Sequence, residues 1–243
     1  MMDTTLLKGL DLLERMVAAG APLGVSALAQ ELGLPKSNIH RTLNTLLSAG
    51  YLLYDPEDRH YYPSLKLAHM GQRVTATFPF RTAMLPHLRR LSDLTGESAH
   101  FVVLEGESVV FLSGTLPRAT IASVIPDNLA LAWNDSAFGV ALRRAGNEAD
   151  AMPDSAFPPG TELLDGGVAA LRAHGSRSIF EIAAPVHSNW GAVIGAIGIT
   201  GPAERLDEAR LVRHTEVVRT LASELFMETA RRRGRGGAMQ EAE

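Results

Sequence analysis

A chain of 243 residues suits one large domain or two small ones, each long enough to bury a core. No run of about 18 apolar residues is present to span a membrane, and the opening MMDTTLLKGL, with an acid and no long apolar stretch, does not read as a secretory signal. Zero cysteines exclude disulfides and thiolate metal sites and suit a reducing cytoplasm, while a net charge of −4 excludes a broadly basic surface.

The first element in chain order is a helix: Leu6, Leu10, Leu13 and Val17 have helical spacing, Thr4 or Thr5 is placed to cap it, and Gly20 ends it. A turn over 21–24 leads to a short helix over 26–32, with Val25, Leu28, Ala29 and Leu32 on one face. Gly33 is placed to close that helix and Pro35 to open the next, which runs to Gly50. Ile39, Leu43, Leu46 and Leu47 form the apolar stripe of this third helix. Its other side carries Lys36, Ser37, His40, Arg41, Asn44, Thr45 and Ser48, with Asn38 in its first turn. That face has two full cations and no carboxylate. A solvated face usually mixes Glu with Lys, whereas this composition suits phosphate oxygens and base edges. Two helices joined by a glycine turn, the second with such a face, make a helix-turn-helix; a plain helical hairpin is the alternative.

Aromatic-rich runs at 51–54 and 60–62 flank the turn residues Asp55, Pro56, Glu57 and Asp58, which predicts a hairpin and so a winged helix-turn-helix. Arg59 and His60 sit near its tip, either to touch the DNA backbone or minor groove or simply as a solvated turn. Residues 1–75 hold seven cations and seven acids, so local arrangement rather than net charge must attract DNA. Leu65, Ala68, Met70 and Val74 predict a linker helix over 64–77, and Phe78-Pro79-Phe80 marks a domain boundary.

Beyond it, Leu85, Leu88 and Leu91 predict a helix over 81–94, with Pro86 near its start. Strands are expected at AHFVVLEGESVVFLSG (two, around the 105–107 turn), 121–125, 179–187 and 192–200, the last two joined by a turn over 188–191. Helices are expected over 133–145, with Asn134 or Asp135 at its start, over 168–174, and over 206–230 on Leu211, Val218, Leu221, Leu225 and Phe226; 149–161 reads as a loop. Helices flanking an antiparallel sheet make an α+β fold. The division expected is a winged helix-turn-helix domain over 1–63, a linker helix over 64–79, a second domain over 80–230 and a disordered Arg/Gly/Glu tail over 231–243.

The runs KGLDLLERM, VSALAQELGLPKSNIHRTLNTLLSAGYL and SLKLAHMG resemble the DNA-binding domain of the IclR family of bacterial transcriptional regulators. LSDLTGESAHFVVLEGESVVFL and IAAPV…IGAIGITGP resemble the family's effector domain, in the same order. The resemblance implies a GAF-like second domain enclosing a small molecule, homodimers commonly paired into tetramers, and palindromic promoter sites of a catabolic operon, with the sign of regulation unspecified. On DNA the expected contacts are Lys36, Ser37, Asn38 and Arg41 first, then His40, Asn44, Thr45 and Arg59. In the effector site the resemblance points to Ile121, Ser123, Asn134, Ser136, Ala137, Phe138, Ile179, Glu181, Gly198 and Thr200, with Trp133 as a pocket wall or a surface cap; each of the apolar ones is alternatively core. AWNDSAFGVA replaces the family's His-containing stretch and the segment before IAAPV is short, which implies a shortened lid and different polar groups.

The eight histidines form no metal spacing, no nucleophile elbow or phosphate loop is present, and no catalytic residue, metal or cofactor is expected. A hydrolase would need an unseen Ser-His-Asp arrangement. A ligand-independent architectural DNA binder is the other alternative, against which the large second domain argues. Glu181 opens an otherwise apolar strand, where alternation groups it with Ala183 and Pro185 and sets Ile182, Ala184 and Val186 on the opposite face. A carboxylate facing the effector would repel an acid and accept hydrogen bonds. The expected effector is therefore a small, aromatic amide, amine, hydrazide or hydroxyl donor rather than the acids many family members sense. Asn134, Ser136 and Thr200 would supply the other polar contacts, and Phe138 and Ile179 the apolar walls. The alternative is a Glu181 that points to solvent or pairs with Arg177.

Overall fold

The computed structural model describes residues 4–78, 81–146, 154–172, 178–188 and 191–237. The chain divides into two compact units, Met1–Thr77 and Phe78–Glu243.

In the first unit, α1 (Thr4–Ala19), α2 (Val25–Leu32) and α3 (Lys36–Ser48) precede the hairpin β1 (Leu52–Asp55)–β2 (His60–Pro63) and α4 (Leu65–Thr77). Gly33, at φ 63°, closes α2 in the left-handed region and donates its N–H to the Ala29 carbonyl, a conformation that costs glycine little. Leu12, Met16, Leu28, Ala29, Ile39, Leu43, Leu52 and Tyr61 form the core. Leu23 exchanges two backbone hydrogen bonds of 2.9 Å with Tyr61, pinning the chain before α2 to the hairpin. Asp55 Oδ1 accepts from the Glu57 N–H at 2.9 Å, so the wing turn closes on its own first residue. The α1 stripe of Leu6, Leu10 and Val17 is exposed, since the core is met by Leu12 and Met16 instead. On α4, Leu65, Met70 and Val74 are exposed and no residue is buried.

The second unit is an antiparallel seven-stranded sheet of order β5-β4-β3-β9-β8-β7-β6. Its strands are β3 (Ser98–Glu105), β4 (Ser108–Thr115), β5 (Ala130–Ala132), β6 (Thr161–Leu164), β7 (Val168–Leu171), β8 (Ile179–His187) and β9 (Val193–Pro202). The helices are α5 (Arg81–Thr95), which runs through Pro86, α6 (Ala137–Ala145) and α7 (Glu208–Gly237). Alternation sorts the strand side chains into two cores. Phe101, Phe180, Ile182, Ala184, Ile197 and Ile199 pack with Leu88 and Leu91 of α5 and Val218 and Leu221 of α7. Val102, Phe111, Ala183 and Ala196 pack under Phe138, Val140 and Ala141 of α6. The architecture is α+β.

Four expectations need correction. Residues 121–125 are irregular rather than a strand, with Ile121 67% and Val124 exposed; the strand beside β4 is β5. Residues 168–171 are strand β7, not helix. Their Val-Ala-Ala-Leu run is buried on both faces, and pairing with β6 and β8 overrides the helix preference of alanine; 173–174 lie outside the described residues. The helix expected from Trp133 is broken: a single 3-10 turn spans Trp133–Asp135, and α6 starts only after Ser136, whose hydroxyl accepts from Phe138 N. The backbone of α7 continues over 231–237, within the segment for which a disordered tail was expected. Residues 238–243 lie outside the described residues. The expected 149–161 loop is described only from residue 154, where a 3-10 turn (Asp154–Ala156) precedes β6; of the expected 188–191 turn, Asn189 and Trp190 are outside.

Candidate functional sites

On the first unit, Ile39 and Leu43 anchor α3 in the core, which turns Lys36, Ser37, Asn38, His40, Arg41, Asn44 and Thr45 all to solvent. Ser37, His40, Arg41, Asn44, Thr45 and Ser48 line one open trough. His40 Nδ1 and Asn44 Nδ2 lie 3.2 Å apart and tie the two side chains together. The Thr45 hydroxyl donates to the Arg41 carbonyl at 3.0 Å, so its proton is spent within the helix and its lone pairs face outward. Among the described residues Lys36, Arg41 and Arg59 pair with no carboxylate. Arg15, by contrast, is held by Asp11 and Glu31, and Lys66 by the Ala49 carbonyl and the Tyr51 ring. Arg59 sits in the left-handed region at φ 55° and, with His60 and Tyr54, lines a cleft shared with His40 and the start of α2. The wing cation and α3 therefore border the same concavity.

On the second unit, polar groups collect on the sheet face under α6. Glu181, Thr200 and Ser98 stand in one row across β8, β9 and β3; Ala183, Gly198, His100 and Gly114 form the next row. Glu181 is 2% exposed, which removes the solvent-facing reading, and Ala183 shares its face with Ile182 opposite, as alternation required. Arg177, its other suggested partner, lies outside the described residues. The Ser136 hydroxyl and the Ala137 N–H both donate to Glu181 Oε2 at 2.7 Å. The carboxylate thus sits at the first turn of α6, where unpaired N–H groups and the helix dipole favour negative charge. His100 Nε2 is 3.0 Å from Thr200 Oγ1, and its ring meets Phe111 and Phe138 edge-on. Burial lowers its pKa to about 4, so it is neutral at neutral pH. The Ser98 hydroxyl donates to the Ser123 carbonyl at 2.6 Å and fixes the irregular segment against the sheet.

Of the residues indicated by sequence, Ser136, Ala137, Glu181 and Thr200 come together here. Ser123 and Ile179 line a neighbouring open cleft of about 360 Å³ with Val124, Ile125, Pro126, Leu129 and Leu131. Phe138 is fully buried core, and Gly198 is the bare strand position it lies on: a Cβ there would collide with the Ile182 carbonyl and the Phe138 ring. Ile121 and Asn134 are exposed away from the buried group, because the first is not on a strand and the second lies in the 3-10 turn before the real cap. Trp133 donates to Glu107 and stacks beneath Arg143 at the periphery. Ser98 and His100 were missed, although their spacing with Val102 in SAHFV already put two polar groups on an apolar face.

A family model for the IclR helix-turn-helix domain matches residues 5–56. The HTH-type transcriptional regulator BhcR of Paracoccus denitrificans is 28% identical over 94% of this chain and 88% of its own. An IclR-type regulator from Silicibacter sp. TM1040 shares the fold at a TM-score of 0.71 and 23% identity, over 93% of this chain and 96% of that one. An IclR homologue from Microbacterium hydrocarbonoxydans, solved in complex with 4-hydroxybenzoate, does so at 0.64 and 22%, over 91% and 99%. Residues 5–56 carry an IclR-type helix-turn-helix domain, and over nearly its whole length the chain is similar to HTH-type transcriptional regulators and shares the fold of IclR-type regulators.

Proposed function

We propose that this chain regulates a catabolic operon in the cytoplasm by binding a palindromic promoter site through α3 and the wing, and that a small molecule bound on the α6 face of the sheet sets its affinity for that site. The observation that carries the DNA half is the outer face of α3: a continuous exposed strip of donors whose cations have no carboxylate partner among the described residues, on a helix whose inner face is locked in the core. Lys36 and Arg41 supply phosphate or guanine contacts, Ser37 and Asn38 reach base edges from the first turn, and His40, Asn44, Thr45 and Arg59 flank them. The exposed apolar faces of α1 (Leu6, Leu10, Val17) and α4 (Leu65, Met70, Val74) support a homo-oligomer, dimer or dimer of dimers, in which a second copy covers them. A dimer presents two recognition helices, which offsets the neutral charge of each 1–75 segment.

Arg41→Ala tests the reading. Binding to a site selected by the wild-type protein from random DNA falls about tenfold, as expected for one lost guanine or phosphate contact, with the thermal midpoint unchanged. Unchanged binding through a salt titration removes Arg41 from the interface.

A further inference from the structure

The start of α6 is an anion position, and the chain fills it with its own carboxylate. Glu181 reaches from β8, is 2% exposed, and takes both the Ser136 hydroxyl and the Ala137 N–H on one oxygen at 2.7 Å. Two converging donors at the positive end of a nine-residue helix are the arrangement that binds a carboxylate from any source. Around it Thr200 and Ser98 continue the row, neutral His100 is paired with Thr200, and Phe138 and Phe111 pack edge to face, all of them buried. A relative of the same fold is solved with 4-hydroxybenzoate, itself a carboxylate.

We propose that Glu181 is a tethered stand-in for an acid effector. It occupies the carboxylate position at the head of α6, so that this chain does not take small acids there and reserves the adjoining face for uncharged or donor-bearing molecules. Glu181 is then the residue that sets effector class. An intramolecular carboxylate competes at a high effective concentration, and a free acid arriving beside it would bring a second negative charge into a buried site. The inference rests on the reading of the α6 face as the effector site, but its first test does not.

That test is chemical rescue of full-length Glu181→Ala. The shortened side chain leaves Ser136 and Ala137 without their acceptor and removes four heavy atoms, the number in acetate. With a dissociation constant on the order of 1 mM, 100 mM sodium acetate raises the thermal midpoint of the variant by roughly 5–10 °C over equimolar sodium chloride. Acetamide, of the same shape without the charge, gives less than half that rise, and wild type shifts by less than about 1 °C in any of the three. If Glu181→Ala does not fold in chloride, recovery of folded protein on dilution from urea into acetate against dilution into chloride reads the same site. An acetate effect no larger than the chloride effect in both formats, or a wild-type shift as large as the variant's, overturns the proposal. Affinity for the selected DNA is measured in the same buffers. A positive rescue with DNA affinity unmoved by acetate leaves Glu181 as a structural cap of α6 and overturns the proposal together with the effector reading, whereas failed rescue overturns the proposal alone.

Discussion

The two units build their sites in opposite ways. On α3 the candidate contacts lie within ten consecutive residues, Lys36 to Thr45, all exposed on one helix whose opposite face is core. Under α6 the corresponding groups come from four separate stretches, around residues 98–100, 136–138, 181 and 198–200, and meet only because three strands align them in register beneath a helix start. The first arrangement separates binding from stability: outer residues read the ligand and inner residues hold the fold. The second merges them, since Glu181 and Ser136 cap a helix and His100 fills core space whatever else they do.

The sharpest way to break this comparison is inside α3. Leu43 is fully buried among Leu12, Met16 and Leu28. Leu43→Ala leaves a cavity and costs about 3 kcal/mol by urea unfolding, whereas Asn44→Ala, one residue along, changes stability by less than about 0.5 kcal/mol. Similar costs at the two positions would show that the helix has no protected inner face, and the separation of roles would fail.

Under α6 the merging shows as pH dependence. His100 is buried neutral, with its pKa lowered from 6.5 to about 4 by desolvation. The unfolded chain therefore binds the proton first. Stability is fully present above pH 6.5, falls as pH drops through the window from 6.5 to about 4, and changes no further from this group below that; the total is on the order of 3 kcal/mol. His214, stacked on Phe180 on the other face, is lowered to about 4 by burial and then by Arg213 and Arg210, so it adds a slope of the same sign. His100→Gln retains a partner for Thr200 and removes one proton. Unfolding free energies between pH 7 and pH 4 should then lose about half of the wild-type slope. A slope identical to wild type would mean that His100 is not sealed in the folded protein.

The same contrast explains what could be read from sequence. Helical period, a glycine at the end of α2 and an acid-free polar face are local signals, so the helix-turn-helix and its candidate contacts followed directly from residues 26–50. The alternation of 179–187 placed Glu181 on the same face as Ala183, and the structure keeps that assignment. What sequence does not carry is which residues cross-strand register brings beside Glu181. Ser98 and His100 are some eighty residues away, and they meet its face through Thr200 on a third strand. The four-residue run 168–171 was misread because alanine favours helix locally, while burial on both faces is a property of the assembled sheet. Asn134 or Asp135 was expected at the helix start because either can cap; the cap is Ser136, whose hydroxyl accepts from Phe138 N and donates to Glu181.

The smallest expected effect asks whether the wing belongs with α3. Arg59 holds φ 55° at the tip, beside the acids Asp55, Glu57 and Asp58, and borders the cleft that contains His40. Asparagine tolerates the left-handed region, so Arg59→Asn keeps the turn, removes one charge and changes stability by less than about 0.5 kcal/mol. If Arg59 neutralises one phosphate, affinity for the selected DNA falls about two- to fivefold near physiological salt, and the slope of log K against log salt decreases by about 0.9. The slope is the discriminating quantity, because a wing that acts only by shape would lose affinity without releasing fewer counterions. An unchanged slope with unchanged affinity would leave Arg59 a solvated turn residue. The DNA face would then shrink to α3, and its separation from the fold's stability would be all the cleaner for resting on one helix.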